Sequence, residues 1–204
     1  LASGVKPRQW HWTADDDPRV MSYIDALSQK ERLAGMVAII GGGGIGFDVA
    51  AALMHAQGTD FYAKWGIDTS LQERGGLRPH QNASSPIDLH MFQRSSGKMG
   101  ANLGKTTGWI HRLELKKAGV HMHTGVEYVA LDQAGLHYNQ GGEEKLLSAD
   151  HFVVCAGQIP YSPLFDQLQK AAIPAHRIGG ALNAAKLDAQ RAIKEGLELA
   201  YRMG

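Results

Sequence analysis

The chain is poor in cysteine, in charge imbalance and in long apolar runs, and each shortage excludes something. Among 204 residues there is one cysteine, Cys155. A lone thiol forms no internal disulfide and cannot by itself hold zinc or an iron-sulfur cluster, a composition compatible with a reducing cytoplasm. Lysine and arginine number 21 against 20 aspartates and glutamates, so the overall charge predicts neither a nucleic-acid nor a membrane partner. No apolar stretch approaches the roughly 20 residues that span a bilayer. The opening "LASGVKPRQW" also lacks the charged-then-apolar order of a signal peptide. A soluble protein of one large or two small domains is expected. The start at Leu1, inside what reads as the tail of a strand, is expected equally of a fragment and of a processed terminus.

What the chain does have is glycine, 25 residues of it, and its densest run is informative. In "VAIIGGGGIGFDVAAALMH", residues 37–55, four apolar residues lead into four glycines and then into a helix-like pattern. Val37 to Ile40 reads as a buried parallel strand and Phe47 to His55 as the following helix, with alanines that allow close packing on a sheet. Gly41, Gly43 and Gly46 fit G-x-G-x-x-G at this junction. The first glycine makes a tight turn, the second lets the backbone approach a pyrophosphate, and the third lets the helix lie close to the strand. A dinucleotide pyrophosphate is expected at the helix N-terminus, where unpaired amides and the helix dipole favour negative charge.

Upstream, Asp17 as N-cap and Pro18 at the first helical position predict a helix through "RVMSYIDALSQKERL". Asp15, Asp16 and Asp17 are read as solvated and capping residues rather than metal ligands. Residues 56–86, rich in Gly, Gln, Ser and Asn, form a long excursion before the next strand, "IDLHMFQR". That strand ends at Gln93 and Arg94, where an acid would favour NAD and a base the 2'-phosphate of NADP. Arg94, Ser95 and Lys98 therefore predict NADPH.

"TTGWIHRLELKKAGV" reads as a helix closed by Gly119. The following segment reads as short strands with glycine turns, a small meander. The C-terminal stretch from His176 predicts a strand, a double-glycine turn and a last helix. "GANLGKTTG" fails the phosphate-loop pattern because Met99 stands where the first glycine belongs. His121 and His123 alternate on one strand face but lack a third ligand, so they are read as packing or surface histidines and no metal site is expected. Cys155, inside "FVVCAG", reads as a small buried hydrophobe.

The strings "VAIIGGGGIGFDVA", "WGIDTSLQERGGL", "LGKTTGWIHR", "VVCAGQIP" and "IGGALNAAKLDAQRAIKEG" together resemble the C-terminal part of bacterial NADPH-dependent 2,4-dienoyl-CoA reductases, over nearly the whole chain. In that family an N-terminal barrel with FMN and a cysteine-held 4Fe-4S cluster precedes an FAD domain interrupted by an NAD(P)H domain. The resemblance implies a Rossmann-like, three-layer α/β nucleotide-binding domain with a small β-meander, plus part of a second, FAD-binding Rossmann-like domain. Residues 1–33 would leave the FAD domain through a linker helix. Residues 34–148 would form the NADPH domain with its insertion at 56–86, and 149–204 would return to FAD.

By the same resemblance Gly43, Gly44, Ile45 and Gly46 meet the NADPH pyrophosphate, and Arg94 and Lys98 its 2'-phosphate. Ala156 and Gly157 lie on the second connection, and Gly180, Ala181 and Leu187 approach FAD. Many related flavoproteins carry Asp where Gly180 stands, so backbone amides are expected to replace that contact. The implied reaction is reduction of a 2,4-dienoyl-CoA in unsaturated fatty acid oxidation. Its substrate acid, FMN and cluster would belong to a missing N-terminal portion of the same polypeptide, the implied partner, so no catalytic residue is assigned in this chain. A trimethylamine dehydrogenase-like or enoate reductase-like flavoprotein, or a non-catalytic NADP(H)-binding module, are the alternative readings.

Overall fold

The computed structural model describes residues 1–10, 17–55, 60–81 and 85–203. It divides into two compact units, one of Trp10–Cys155 and one of Leu1–Gln9 with Ala156–Gly204. Asp15 and Asp16 of the aspartate cluster, and residues 56–59 and 82–84 of the 56–86 excursion, lie outside the described residues.

The first unit is built on a five-stranded, wholly parallel sheet. β1 (Val5–Pro7) belongs to the other unit, and the sheet strands are β2 (Val20–Ser22), β3 (Gly35–Ile40), β4 (Ile87–Gln93), β5 (His121–Thr124) and β9 (His151–Val154), in the order β2-β9-β3-β4-β5. A parallel sheet covered on both faces needs near-continuous apolar strands, and Val37, Ala38, Ile39 and Ile40 are fully buried. Alternate residues serve opposite faces. Val37, Ile39, Leu89, Met91 and Val153 share a core with Phe47, Val49, Ala50 and Leu53 of α2 (Gly44–Met54), with Ala26 of α1 (Tyr23–Ser28) and with Leu115 of α4 (Gly108–Lys117). Each large side chain fully buried there contributes about 1.5–3 kcal/mol.

On the other face Phe92 meets the edge of Tyr138, with ring centroids 5.1 Å apart. Tyr138 lies on β7 (Leu136–Gln140), the middle strand of an antiparallel meander between β6 (Val126–Leu131) and β8 (Glu143–Leu147). The meander foreseen in the sequence is therefore these three strands. The strands on either side of it, β5 and β9, join the parallel sheet.

Two local expectations fail for identifiable reasons. The helix expected from Pro18 begins only at Tyr23, because Val20–Ser22 pairs with Phe152–Val154 as the sheet's edge. Ser22, not Asp17, caps it, its hydroxyl accepting from the Asp25 amide. Asp17 instead binds the Arg19 guanidinium at 2.7 Å, and that hydrogen bond holds its carboxyl below the usual range. Consequently the described residues of 17–33, and 149–155, set apart from the nucleotide domain in the sequence reading, are built into the same unit as the glycine turn.

Within the excursion, α3 (Phe61–Trp65) is capped by Asp60, which accepts from the Tyr62 and Ala63 amides. The buried Asp68 carboxylate closes the next loop, accepting from the amides of Ser70, Gln72 and Glu73 and from the Ser70 hydroxyl. Those donors stabilise the anion and bring its pKa down to about 2.

The second unit pairs β1 antiparallel with β10 (Gln158–Pro160) and adds α5 (Phe165–Lys170) and α6 (Ala189–Met203). The strand expected near His176 does not form. Its pairing is limited to the Ile178 amide on the Leu1 carbonyl at 3.0 Å and the Leu1 amine on the His176 carbonyl at 2.6 Å.

Candidate nucleotide-binding site

The glycine turn stands at the carboxyl end of β3, between β4 on one side and β9 on the other. That is the point where strand order reverses, and in open α/β sheets ligands bind in the crevice there. Gly41 leaves the strand with φ +125°, a conformation that strongly favours glycine, while its amide donates to the Phe92 carbonyl at 2.9 Å. Gly46 faces back onto it. A Cβ at Gly46 would lie 2.0 Å from the Gly41 carbonyl oxygen, so the helix can approach the strand only with hydrogen there.

Between these two tight points the turn is open. A Cβ built on Gly43 or on Gly44 meets nothing within 4 Å. Gly43 is the N-cap of α2, with no side-chain cap, and the first helical bond is from the Phe47 amide to the Gly43 carbonyl at 3.0 Å. The amides of Gly44, Ile45 and Gly46 therefore have no intrahelical acceptor. Gly43 and Gly44 are exposed, and free amides at the positive end of a helix dipole are an arrangement suited to a phosphate.

Gly42 also belongs to the site, and sequence reasoning passed over it. Its Cβ would lie 2.9 Å from Met99 Cγ and 3.1 Å from Gln93 Cβ. This contact explains why Met99 occupies the position that a phosphate loop would give to glycine: it is buried against the glycine turn. The signal was the fourth glycine itself, which the G-x-G-x-x-G pattern does not require.

Arg94, Ser95 and Lys98 are exposed on the loop that follows β4. Gln93 shapes that loop, its Nε2 donating to the carbonyls of Ser95 at 3.1 Å and Gly97 at 3.2 Å. Because Gln93 also borders Gly42, the basic loop and the glycine turn are neighbours. Among the described residues no ion pair engages Arg94 or Lys98, whereas Arg19 and Lys64 are both paired.

The other named residues lie in the second unit. Ala156 and Gly157 open it, with the Gly157 carbonyl accepting from the Arg8 amide at 3.2 Å. Gly180 and Ala181 sit in the buried 3-10 turn Gly179–Ala181, whose first amide donates to Glu195 of α6. A Cβ at Gly180 would lie 2.8 Å from Val5 Cγ1, 2.9 Å from Leu187 Cδ2 and 3.1 Å from the Gly4 carbonyl carbon. Leu187 thus packs on this position, and an aspartate there would need both neighbours to move. We expect Gly180→Ala to destabilise this unit by about 1–3 kcal/mol through overpacking. Faster amide exchange in β1 and the Gly179–Ala181 turn, with the β3–β4 amides unchanged, is the readout; unchanged exchange in both would show that the space is not limiting.

Cys155 is buried at the end of β9, and burial pushes its thiol up to about 12. It is an unreactive core residue at neutral pH.

The family model described as pyridine nucleotide-disulphide oxidoreductase matches residues 1–187. Among curated relatives, the chain is 26% identical to a cinnamate reductase of Clostridium sporogenes over 181 residues, 89% of this chain and 23% of that protein. It is 20% identical to a metal reductase of Desulforamulus reducens, over 92% of this chain and 28% of that one. Among solved structures, 2-naphthoyl-CoA reductase superposes with a TM-score of 0.70 at 20% identity, covering 97% of this chain and 26% of its own. The amine oxidase HisD of Pseudomonas geniculata N1 gives 0.71 at 18% identity, covering 100% and 28%. The chain spans about a quarter of the length of these proteins. An open glycine turn on a central parallel strand and a match over nearly the whole chain lead to one assignment: this chain belongs to the pyridine nucleotide-disulphide oxidoreductase family.

Proposed function

We propose that this chain is the NADPH-binding part, and a portion of the FAD-binding part, of a cytoplasmic multidomain flavin and iron-sulfur oxidoreductase that reduces 2,4-dienoyl-CoA in unsaturated fatty acid oxidation. The observation that carries the nucleotide assignment is the vacancy around Gly43 and Gly44, flanked by positions where a Cβ cannot fit. The resemblance of the sequence strings to dienoyl-CoA reductases carries the substrate assignment.

In this reading the amides of Gly43, Gly44, Ile45 and Gly46 hold a diphosphate, and Arg94 with Lys98 and Ser95 holds a 2'-phosphate. Gly180, Ala181 and Leu187 contribute backbone and apolar contact to the flavin site, and Ala156 and Gly157 carry the connection to it. A bound NADPH supplies a hydride, and the chain's contribution is orientation and exclusion of water rather than proton transfer. FMN, the 4Fe-4S cluster and the substrate acid are assigned to an N-terminal portion of the same polypeptide. The dienoyl-CoA substrate would bind there and not on this chain.

A second reading is supported by the relatives' own names. A cinnamate reductase and a 2-naphthoyl-CoA reductase lie among them, which favours another member of the enoate reductase and amine dehydrogenase group with the same nucleotide module. The two readings share the glycine turn and differ in the substrate.

Titration of the chain with NADPH and NADH tests the nucleotide assignment. NADPH is expected to bind at least about tenfold more tightly, and Arg94→Ala to erase most of that preference, since a charge-assisted contact to phosphate contributes about 1.5–3 kcal/mol. Equal or better binding of NADH by the unaltered chain would remove the role given to Arg94. Assay of the full-length protein with 2,4-dienoyl-CoA, cinnamate and an arylamine separates the two substrate readings.

A further inference from the structure

The sequence reading left His121 and His123 without a third ligand, and the fold supplies two more groups. Parallel pairing sets His90 of β4 opposite His121 of β5, and Phe92 opposite His123. Asp88, two residues before His90, shares their face of the sheet. The rings of His90 and His121 stack at 4.5 Å, and the Nε2 atoms of both lie close to one atom, Asp88 Oδ1, at 3.5 and 3.4 Å. One ligand atom from each of the three residues falls within 4.8 Å of the others.

The geometry points to a binding site for a first-row divalent transition ion of the zinc class, held by Asp88, His90 and His121 at the amino-terminal half of β4 and β5. Metal bonds of about 2.0–2.2 Å at tetrahedral angles set ligand atoms roughly 3.3–3.5 Å apart. Both nitrogen-to-carboxylate separations already match that edge. The nitrogen-to-nitrogen edge closes by rotation of His121, whose side chain is 57% exposed. Two imidazoles and one carboxylate suit zinc, copper, nickel or cobalt rather than magnesium or calcium, which take oxygen ligands. Three protein ligands leave a further position for water.

Support comes from behind the ligands. His90 Nδ1 is 3.0 Å from His123 Nε2. His123 is itself stacked on Phe92 at 4.5 Å. With His123 Nε2 accepting from His90 Nδ1, the His90 Nε2 lone pair is left for a metal on the side of Asp88. An orienting hydrogen bond to the second ring nitrogen is the usual partner of a metal-bound histidine. The site is separate from the nucleotide turn, since Phe92 and Gln93 intervene between His90 and the Arg94 loop.

Cobalt(II) and zinc titrations of the chain test the assignment, the first by visible d–d absorption and the second calorimetrically. One equivalent is expected to saturate, with excess magnesium failing to compete. His121→Ala and Asp88→Asn alter exposed side chains, so the fold is expected to persist, as far-UV circular dichroism will verify. Each is expected to weaken binding at least about tenfold, while His176→Ala, in the other unit, leaves it unchanged. Absence of saturable binding would overturn the inference, as would binding that both site variants leave intact. NADPH affinity measured on the same variants is expected to be unaltered, which keeps this result independent of the proposed function.

Discussion

Replacing Gly43 by aspartate is expected to abolish NADPH binding while leaving the protein as stable as before or slightly more so. Gly43 has φ −86° and ψ −173°, extended backbone open to any residue, and a Cβ there touches nothing. It is also the N-cap of α2, where aspartate is among the preferred residues and gains a few tenths of a kcal/mol over glycine. Folding therefore has no objection. A diphosphate does, because the carboxylate would accept the same amides and repel the same charge. Loss of charge-assisted contacts worth about 3 kcal/mol corresponds to a fall in affinity of roughly 100-fold. Fluorescence titration and a thermal melt on one preparation decide it. Unchanged affinity in a folded Gly43→Asp protein would mean that nothing binds at the turn.

Gly46→Ala is expected to do the opposite to stability. In an ordinary helix interior, alanine improves on glycine by about 0.5–1 kcal/mol. Here the new methyl would lie 2.0 Å from the Gly41 carbonyl oxygen, a backbone atom that cannot swing aside, with Ile39 Cγ2 at 3.6 Å behind it. Overpacking of this kind costs about 1–3 kcal/mol or more, so the clash outweighs the propensity and the net change is destabilising. Since α2 must lift from β3 to relieve it, the amides that face the ligand move too, and NADPH affinity falls with stability. Urea denaturation alongside titration is the measurement. A variant that gains stability would show that the helix has slack against the strand.

The contrast between these two glycines marks what was legible in the sequence. The pattern G-x-G-x-x-G placed Gly46, because a strand and a helix that must touch forbid a side chain there, and it placed Gly43 in the open part of the turn, where the proposed ligand would approach. Residues 37–40 announced a doubly covered strand by being apolar without alternation. Val20–Ser22, by contrast, looked helical because Val20, Ile24 and Leu27 recur at helical spacing and Pro18 suits a first turn. Its strand pairing depends on Phe152–Val154, some 130 positions away in the sequence, and no local rule carries that information. Gly42 and Met99 were missed for the same reason: their contact joins two loops. The partnership of Asp88, His90 and His121 likewise needs the β4–β5 register, which spacing within either strand alone does not reveal.

The antiparallel pairing of Val5–Pro7 with Gln158–Pro160 has a consequence for biosynthesis. When the first of these strands leaves the ribosome its mate has not been made, and about 150 residues of the sheet unit must follow before it is. At translation rates of about 5–20 residues per second that interval is roughly 10–30 s. The nascent sheet unit can close around its own core during the wait, drawing Arg8 and Gly157 toward the single hydrogen bond that will join them. The ladder between Val5–Pro7 and Gln158–Pro160 can thus form only after the whole of the parallel-sheet unit has been synthesised.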